Sequence, residues 1–304
     1  MTTGGPAEKE PPASALDSRF DLLAESLITP VLSAGPDGRV DYANPAAREL
    51  FWLSGDAILG DGWLQAIPLD DRERVRRQAK EVAASSNAAV PEFPLDILGQ
   101  RRWVRASLNP IAGTEGGGGG WIAIFDDITG DRAATDDLAH RATHDGLTGL
   151  PNRTLLLDRL GQAVARCERH HQPLAVFFMD LDGFKGVNDE HGHHRGDGVL
   201  CEVASRLAGS IRVEDTAARL GGDEFVVVSE GVTRTAAQAV AARLAAGVAS
   251  PIVVDGVEFT LRASVGVAWT DGALESPEQL LARADQGMYI AKQQATPWAF
   301  ADRR

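Results

Sequence analysis

Cysteine and histidine are scarce in this sequence of 304 residues, and their absence from its N-terminal part limits the sites that can form there. No histidine occurs before His140 and no cysteine before Cys167. This argues against a histidine-ligated haem and excludes a flavin bonded to cysteine in that part. The two cysteines, Cys167 and Cys201, lie in helical patterns without metal-ligand spacing, and we interpret both as buried free thiols with no chemical role.

Long apolar runs and an excess of positive charge are missing as well. No stretch approaches the roughly 20 consecutive apolar residues that a membrane-spanning helix needs, and the N-terminus lacks the apolar core of a signal sequence. Acidic residues number 43 and basic residues 30, a net charge of −13, whereas nucleic-acid binding needs clustered Lys and Arg. We therefore expect a cytoplasmic protein without membrane or nucleic-acid partners. A phosphorylated small molecule that brings its own metal is compatible with this charge.

The chain is long enough for two domains of ordinary size, each with its own core. Residues 1–17 are rich in Pro, Ala, Gly and Glu without periodicity, which predicts disorder. We expect the first domain over residues 18–130, a connecting helix over 131–144, and the second domain over 145–304.

Short strands and turns are typical of the first domain. Asp37-Gly38 signals a turn, residues 40–43 alternate as a strand, and Asn44 followed by Pro45 indicates the start of a helix. The five glycines at 116–120 run into a strand rather than a helix. We therefore interpret them as a flexible hairpin loop and not as a phosphate-binding loop.

Three segments of this domain, GRVDYANPAA, WVR and DDIT, resemble the PAS family of sensor domains. The resemblance implies an antiparallel sheet with helices, in a domain that binds haem, flavin or a small metabolite, or that only dimerises. The missing histidine and cysteine leave three alternatives, which are a non-covalent flavin, another small ligand, and no ligand.

Strand and helix patterns alternate in the second domain. The apolar strand LAVFFMDLD lies between two helical segments, AARLGGDEFVVVS and PIVVDGVEFTLRASVGVAW each predict a hairpin, and the last helix begins at a serine cap, Ser276. This order predicts a largely antiparallel sheet covered by helices, with a ferredoxin-like layout. The chain as a whole is then a mixed α+β protein.

Two apolar strands of the second domain end in carboxylates. Asp180 and Asp182 stand at i and i+2 and so share a face, while Asp223 and Glu224 follow two glycines in the first hairpin. If the strands are neighbours, Asp180 and Asp223 can meet, and a shared proton or a hard cation such as Mg²⁺ would relieve their repulsion. From the residues alone, a metal site and a plain Gly-Gly turn are both open.

Three histidines lie close together before a predicted helix. His191, His193 and His194 are spaced i, i+2 and i+3, which matches no usual zinc pattern. We therefore interpret them as a structural or solvated cluster.

Four motifs of the second domain occur in an order and spacing that resemble the GGDEF family of diguanylate cyclases. Between His140 and Lys292 they are DGLTGLPNR, DLDGFKGVNDEHGHHRGDGVL, RLGGDEF and ADQGMYIAK. The resemblance implies a nucleotidyl-cyclase-type domain. It also implies that two GTP, one on each protomer of a homodimer, become cyclic di-GMP and two pyrophosphates.

The resemblance further implies which residues bind metal. Asp180, Asp223 and the main-chain carbonyl of Leu181 are expected to hold two Mg²⁺ or Mn²⁺ ions. Such ions would lower the pKa of the attacking 3′-hydroxyl and neutralise the leaving pyrophosphate. Glu224 is expected to assist at the metal or at the hydroxyl, and the group that takes the proton stays open.

Phosphate contacts are expected from main-chain N–H groups at Gly183 and Phe184 and from Lys292. Gly222 would let the ligand approach the backbone. Lys185 is a weaker candidate for phosphate charge, because a solvated surface lysine is the alternative.

Base recognition and regulation are expected at two further places. Asp197 would accept from the N1–H and N2–H of guanine, and Asn188 would bridge donor and acceptor positions. Without the resemblance, Asn188 is interpreted as part of a turn and Asp197 as a helix cap. Arg212 and Asp215, in RVED, match an inhibitory site for the cyclic di-GMP product.

One departure from the family pattern concerns the phosphates. An arginine usually follows Lys292 four residues later, and here Thr296 stands in that place. The loss of this contact would weaken GTP binding by about 1.5–3 kcal/mol unless Arg303 or Arg304 substitutes. The sequence thus favours an active cyclase regulated by the first domain, over a module that only binds GTP or cyclic di-GMP and over a dimer scaffold.

Overall fold

The computed structural model describes residues 22–85, 87–111, 119–272 and 275–302. The chain divides between Asp136 and Asp137 into two compact units. Three regions for which the sequence led to predictions lie outside the described residues, namely the segment 1–17, glycines 116–118 and the two C-terminal arginines. No helix among the described residues combines the length and the apolar character that crossing a membrane requires.

The first unit is built on a five-stranded antiparallel sheet with strand order β2-β1-β5-β4-β3. Its strands are β1 (Val31–Ala34), β2 (Val40–Ala43), β3 (Glu92–Ile97), β4 (Gln100–Pro110) and β5 (Trp121–Asp127). Helices α1 (Pro45–Phe51) and α2 (Leu69–Ala84) and two 3₁₀ turns (Gly55–Ile58 and Gly62–Ala66) lie between β2 and β3. Buried and exposed residues alternate along β4, so the helices cover one face of the sheet.

The helix start predicted at Asn44 is confirmed. Its Oδ1 accepts hydrogen bonds from the N–H groups of Ala47 and Val31, both at 2.9 Å, and its Nδ2 donates to the carbonyl of Thr29 at 2.8 Å. Asn44 is fully buried, and these bonds satisfy its polar atoms while they join α1 to β1. The strand over 40–43 and the antiparallel pairing of β4 with β5 are confirmed as well.

Aromatic rings fill the interior of the first unit. Trp63 packs against Trp121 with ring centroids 6.1 Å apart, and Phe51 against Phe125 at 5.1 Å, both edge to face. A helix, α3 (Thr129–Thr143), follows β5, where the sequence predicted a connecting helix. None of its residues is buried.

The second unit has a five-stranded sheet with order β12-β11-β6-β8-β7, antiparallel except for the pair β11–β12. The strands are β6 (Leu174–Asp182), β7 (Thr216–Gly221), β8 (Glu224–Glu230), β11 (Arg262–Thr270) and β12 (Trp298–Phe300). The helices are α4 (Arg153–His170), α5 (Phe184–His191), α6 (His193–Ser210), α7 (Arg234–Ala249) and α8 (Pro277–Gln294).

Helices cover both faces of this second sheet. Val176 and Phe178 of β6 pack in one core with α4 and α8, and the alternate residues Phe177 and Met179 pack in another with α6 and α7. A strand covered on both faces reads as a continuous apolar run, which explains LAVFFM. The predicted antiparallel sheet and the last helix with its Ser276 cap are confirmed.

The second predicted hairpin is only partly right. Strands β9 (Ile252–Val254) and β10 (Val257–Phe259) form a separate two-stranded sheet, and β11 pairs with β6 instead. Seven of the nine residues of β11 are buried, so this strand needs helices on both of its faces. Its place beside β6 in the large sheet, which helices cover on both faces, meets this need.

The predicted burial of the two cysteines is confirmed for Cys167 and wrong for Cys201. Cys167 is buried, and burial raises the pKa of its thiol to about 11. Cys201 is exposed. Its neighbours Leu200 and Val203 face the core from α6, which turns position 201 outward.

Candidate active site

The carboxylates come together at one end of the neighbouring strands β6 and β8, which lie inside the second sheet. Asp180 of β6 stands directly opposite Glu224 of β8, and Asp223 precedes Glu224 in the turn from β7. The condition under which Asp180 and Asp223 can meet, that their strands are neighbours, is therefore fulfilled. We call Asp180, Asp223 and Glu224 the acid edge.

The Gly-Gly turn depends on left-handed backbone and on a buried arginine. Gly221 and Gly222 have φ angles of 144° and 54°, which L side chains rarely adopt. Arg219 donates to the carbonyl of Gly222 through Nε at 3.0 Å and Nη2 at 2.7 Å, and its Nη1 lies 2.8 Å from Oδ1 of Asp145. The side chain of Arg219 thus ties the turn to the loop that precedes α4.

Asp145 belongs to DGLTGLPNR, and the structure gives this motif a role in positioning the turn. Its Oδ1 also accepts from the N–H of Thr148 at 2.9 Å and from the hydroxyl of Thr148 at 2.7 Å. Burial alone would raise the pKa of Asp145, but the hydrogen bonds from Thr148 and Arg219 outweigh it and hold the pKa below its usual value. The carboxylate therefore stays charged opposite Arg219.

Sequence reasoning did not identify Arg219 or Asp145 as site residues. The two are 74 positions apart, and only the fold joins them. A signal existed, since an arginine that follows two buried alanines in strand β7 and is itself buried requires an acceptor. Ser264 was also missed, and it donates to both oxygens of Asp182 at 3.0 and 3.1 Å.

The acid edge is electrostatically crowded. Burial raises the pKa of Asp223, and the charge of Asp180 raises it further. Burial and the charges of Asp180 and Asp223 raise the pKa of Glu224 in the same way. Lys292 offsets part of this negative charge, because its Nζ lies 2.6 Å from Oδ1 of Asp180 and 3.9 Å from Asp182.

This donor set fits a hard divalent cation. Mg²⁺ binds proteins through one or two carboxylates and takes its other ligands from water and substrate phosphates. Among the described residues no three His, Cys, Asp or Glu side chains are grouped to hold a metal by themselves. Asp180 and Asp223 repel each other, and together with the main-chain carbonyl of Leu181 they are the groups that could hold such an ion. The three histidines likewise form no metal group with other described residues.

The residues predicted to meet the phosphates lie where β6 gives way to α5. Gly183 is left-handed, with a φ of 79°, and a side chain there would meet no atom within 4 Å. Helix α5 begins at Phe184, so its free N–H groups open next to the acid edge. Phe184 is buried in the core, and Lys185 is exposed.

The two residues predicted to read guanine lie on α5 and α6, which pack against each other. Asn188 is inside α5, and a methyl group at Gly196 would overlap its Oδ1. Asp197 follows Gly196 inside α6 and is exposed. The alternatives of a turn at Asn188 and a cap at Asp197 are therefore wrong, because both residues lie inside helices that pack against each other.

Arg212 and Asp215 lie in the loop between α6 and β7, at the end of β7 away from the Gly-Gly turn. The N–H of Arg212 donates to Oδ2 of Asp215 at 3.1 Å, and the N–H of Asp215 donates to the carbonyl of Arg212 at 3.1 Å. This closes a tight loop. Asp215 also lines a cavity of about 290 Å³ with Arg159 and Arg166 of α4.

Comparison with known proteins connects this site to one enzyme family. The family model described as the diguanylate cyclase GGDEF domain matches residues 142–297, and a PAS-fold model matches residues 24–133. The bifunctional diguanylate cyclase/cyclic di-GMP phosphodiesterase MucR of Pseudomonas aeruginosa is 45% identical over 161 residues, which are 53% of this chain and 24% of MucR. Diguanylate cyclase TpbB of the same species is 40% identical over 179 residues, 57% of this chain and 41% of TpbB. The chain thus spans less than half the length of these relatives.

Solved structures agree with the sequence comparison. The GGDEF domain of TpbB superposes with a TM-score of 0.50 at 40% identity, covering 52% of this chain and 94% of that domain. The coiled coil and GGDEF domain of DgcB from Caulobacter crescentus, in complex with c-di-GMP, has a TM-score of 0.51 at 27% identity. That match covers 57% of this chain and 92% of the DgcB chain.

Proposed function

The chain belongs to the GGDEF family of diguanylate cyclases and carries a PAS-fold domain ahead of its GGDEF domain, and from this we propose that it converts two GTP into cyclic di-GMP and two pyrophosphates. The observation that carries the proposal is the acid edge, where Asp180, Asp223 and Glu224 converge beside Lys292. A purely structural turn has no need of three mutually repelling carboxylates.

The residues of the acid edge would hold the cation and the reacting groups. Asp180, Asp223 and the carbonyl of Leu181 would bind Mg²⁺ or Mn²⁺, two ions in each site. Such ions lower the pKa of the 3′-hydroxyl and neutralise the charge that develops on the leaving pyrophosphate. Glu224, opposite Asp180, would contact the cation or the hydroxyl.

Other residues would orient the nucleotide. The N–H groups at Gly183 and Phe184, at the start of α5, would donate to phosphate oxygens, with Lys185 close by. Gly222 leaves open space at the turn, so a ligand could approach the backbone there. From α5 and α6, Asn188 and Asp197 would select guanine, because adenine would leave the carboxylate of Asp197 facing an acceptor.

We further propose that the active form is a homodimer, because two GTP must react with each other and one acid edge would hold one of them. Each 3′-hydroxyl would attack the α-phosphate bound to the partner. The PAS-fold domain would then act through α3 by changing how two chains face each other.

Product inhibition is a second regulatory proposal. The complex of DgcB with c-di-GMP supports product binding by a GGDEF domain. Arg212 and Asp215 would take part, since a guanidinium grips phosphate or the guanine edge and a carboxylate accepts from guanine N–H groups.

One observation favours a weaker alternative, in which the module binds GTP or cyclic di-GMP without turnover. Thr296 provides no charge for the phosphates, and Lys292 is engaged with Asp180 at 2.6 Å. A GTP-binding module of this kind would melt at higher temperature with GTP and form no product.

The test is incubation of the purified full chain with GTP and Mg²⁺, then with Mn²⁺, followed by chromatography of the products. Cyclic di-GMP from the parent chain and none from Asp223→Ala supports the cyclase. Equal melting temperatures of the two proteins without nucleotide would show that the variant is folded. Absence of product at high protein and GTP concentration, together with a GTP-induced rise in melting temperature, would support the binding module instead.

A further inference from the structure

A cavity of about 550 Å³ lies beside the acid edge, at the start of β11. Asp182, Arg262, Ser264, Lys292 and Thr296 supply its polar lining, and alanines of α7 form much of the remaining wall. Strand β12 pairs with β11 from Val265 onward, so the first residues of β11 have a free edge on this side. Asp182 and Lys292 line the cavity, and Lys292 also contacts Asp180, so these two side chains connect the cavity to the acid edge.

Arg262 is the residue in this cavity that no role above explains. It stands opposite Asp182 in the pairing of β11 with β6, and Ser264, two residues on, stands opposite Asp180. Arg262 and Ser264 therefore share a face with the two aspartates. Asp182 receives its hydrogen bonds from Ser264, while within the described part of the chain the guanidinium of Arg262 has neither an ion pair nor a hydrogen bond.

Lys292 connects the acid edge to the cavity. Its Nζ contacts Asp180, and the same side chain lines the cavity with Arg262. A phosphate chain whose reacting phosphate lies at Asp180 and Asp223 would thus have its outer phosphates within reach of two cations. Thr296 also lines the cavity and adds a hydroxyl without charge.

We propose that Arg262 binds the outer phosphates of the nucleotide together with Lys292, and so supplies the guanidinium that Thr296 lacks. An arginine presents several donors in a fixed planar fork that matches phosphate oxygens. Phosphates entering the cavity also compete with Asp180 for Lys292, which frees that carboxylate for the cation. This inference rests on the proposed function, because it takes GTP as the ligand.

The experiment measures binding separately from turnover. Calorimetric titration of the full chain with Mg²⁺ and a GTP analogue carrying a methylene bridge between the α- and β-phosphates compares the parent with Arg262→Ala. GMP is titrated in parallel because it lacks the outer phosphates. Arg169→Ala is the matched control, since Arg169 is an exposed arginine near the end of α4.

We expect Arg262→Ala to weaken binding of the analogue about tenfold, the usual consequence of losing a charge-assisted hydrogen bond, and to leave GMP binding unchanged. Arg169→Ala should bind both ligands as the parent does. Adding Thr296→Arg to Arg262→Ala should restore most of the lost affinity, which a merely structural role of Arg262 would not allow.

Equal analogue binding by Arg262→Ala and the parent would overturn the inference. An equal loss of GMP and analogue affinity would also overturn it. Tighter binding of inorganic pyrophosphate than of the analogue would assign the cavity to a free anion instead. In each case the proposed function stands if the parent still forms cyclic di-GMP, whereas a parent that neither binds the analogue nor turns over GTP would refute the proposed function itself.

Discussion

The two five-stranded sheets of this chain have similar sizes and different surroundings. In the first unit helices cover one face, and buried residues alternate with exposed ones, as along β4. In the second unit helices cover both faces, and β6 buries its first six residues without interruption. A polar residue is therefore ordinary in the first sheet, whereas in the second it stands out and requires a partner or a ligand.

This difference explains where sequence reasoning succeeded. Asp180 lies near the end of the apolar strand β6 and Glu224 begins β8, so the sequence marked both carboxylates as candidate site residues, and only the fold shows that their strands are neighbours. Among the described residues of the first unit, no carboxylate pair of this kind marks a ligand site. Its interior is recognisable from Trp63, Trp121 and their aromatic neighbours, but these residues are equally suited to a packed core.

The largest effect that distinguishes the two sheets is expected from Phe177→Ala. Phe177 is fully buried in β6 under α6 and α7. Removing its ring should lower the free energy of unfolding of the second unit by about 3–5 kcal/mol, through lost burial and the cavity left behind. Urea denaturation measures the loss, and Phe177→Leu should cost less than about 1.5 kcal/mol. If Phe177→Ala lowered the free energy of unfolding no more than Phe177→Leu does, helices α6 and α7 would not cover this face, and the sheet would not be covered on both faces.

Sequence reasoning could not predict the polar contacts between residues far apart in the chain. The ion pair of Arg219 with Asp145 and that of Lys292 with Asp180 join residues 74 and 112 positions apart. Neither pair has a local pattern, because only the packing of α4 and α8 against the sheet brings the partners together. The exposed position of Cys201 was missed for a related reason, since a helix buries only the side that its neighbours cover.

A second effect, of intermediate size, is expected from Arg219→Met. The pair with Asp145 is largely buried, and breaking a buried pair is costly. Asp145 keeps its bonds from Thr148, so we expect a loss of about 2 kcal/mol rather than the full amount. Turnover should fall as well, because the turn that carries Asp223 loses its anchor.

The stability of Arg219→Met should depend on pH differently from that of the parent. The lowered pKa of Asp145 stabilises the parent above the ordinary aspartate pKa of about 3.9, and this stabilisation is lost as pH falls through the lower folded value. In Arg219→Met the folded pKa moves back toward the ordinary value, so less stability should be lost on acidification. Melting temperatures between pH 3 and pH 7, compared with those of Arg169→Met, measure this, and parallel curves for Arg219→Met and the parent would contradict it.

The smallest effect is expected on the open face of the first sheet, from Ile124→Thr. Ile124 of β5 is 40% exposed, between the buried residues Ala123 and Phe125. Threonine keeps the branched shape that strands favour and loses only part of the apolar contact, so the cost should stay below about 1 kcal/mol. Urea denaturation at two protein concentrations measures it. A loss of unfolding free energy that exceeds this value and grows with protein concentration would show that a second chain covers this face. Both sheets would then be covered on two faces, the second by helices of its own chain and the first partly by another chain.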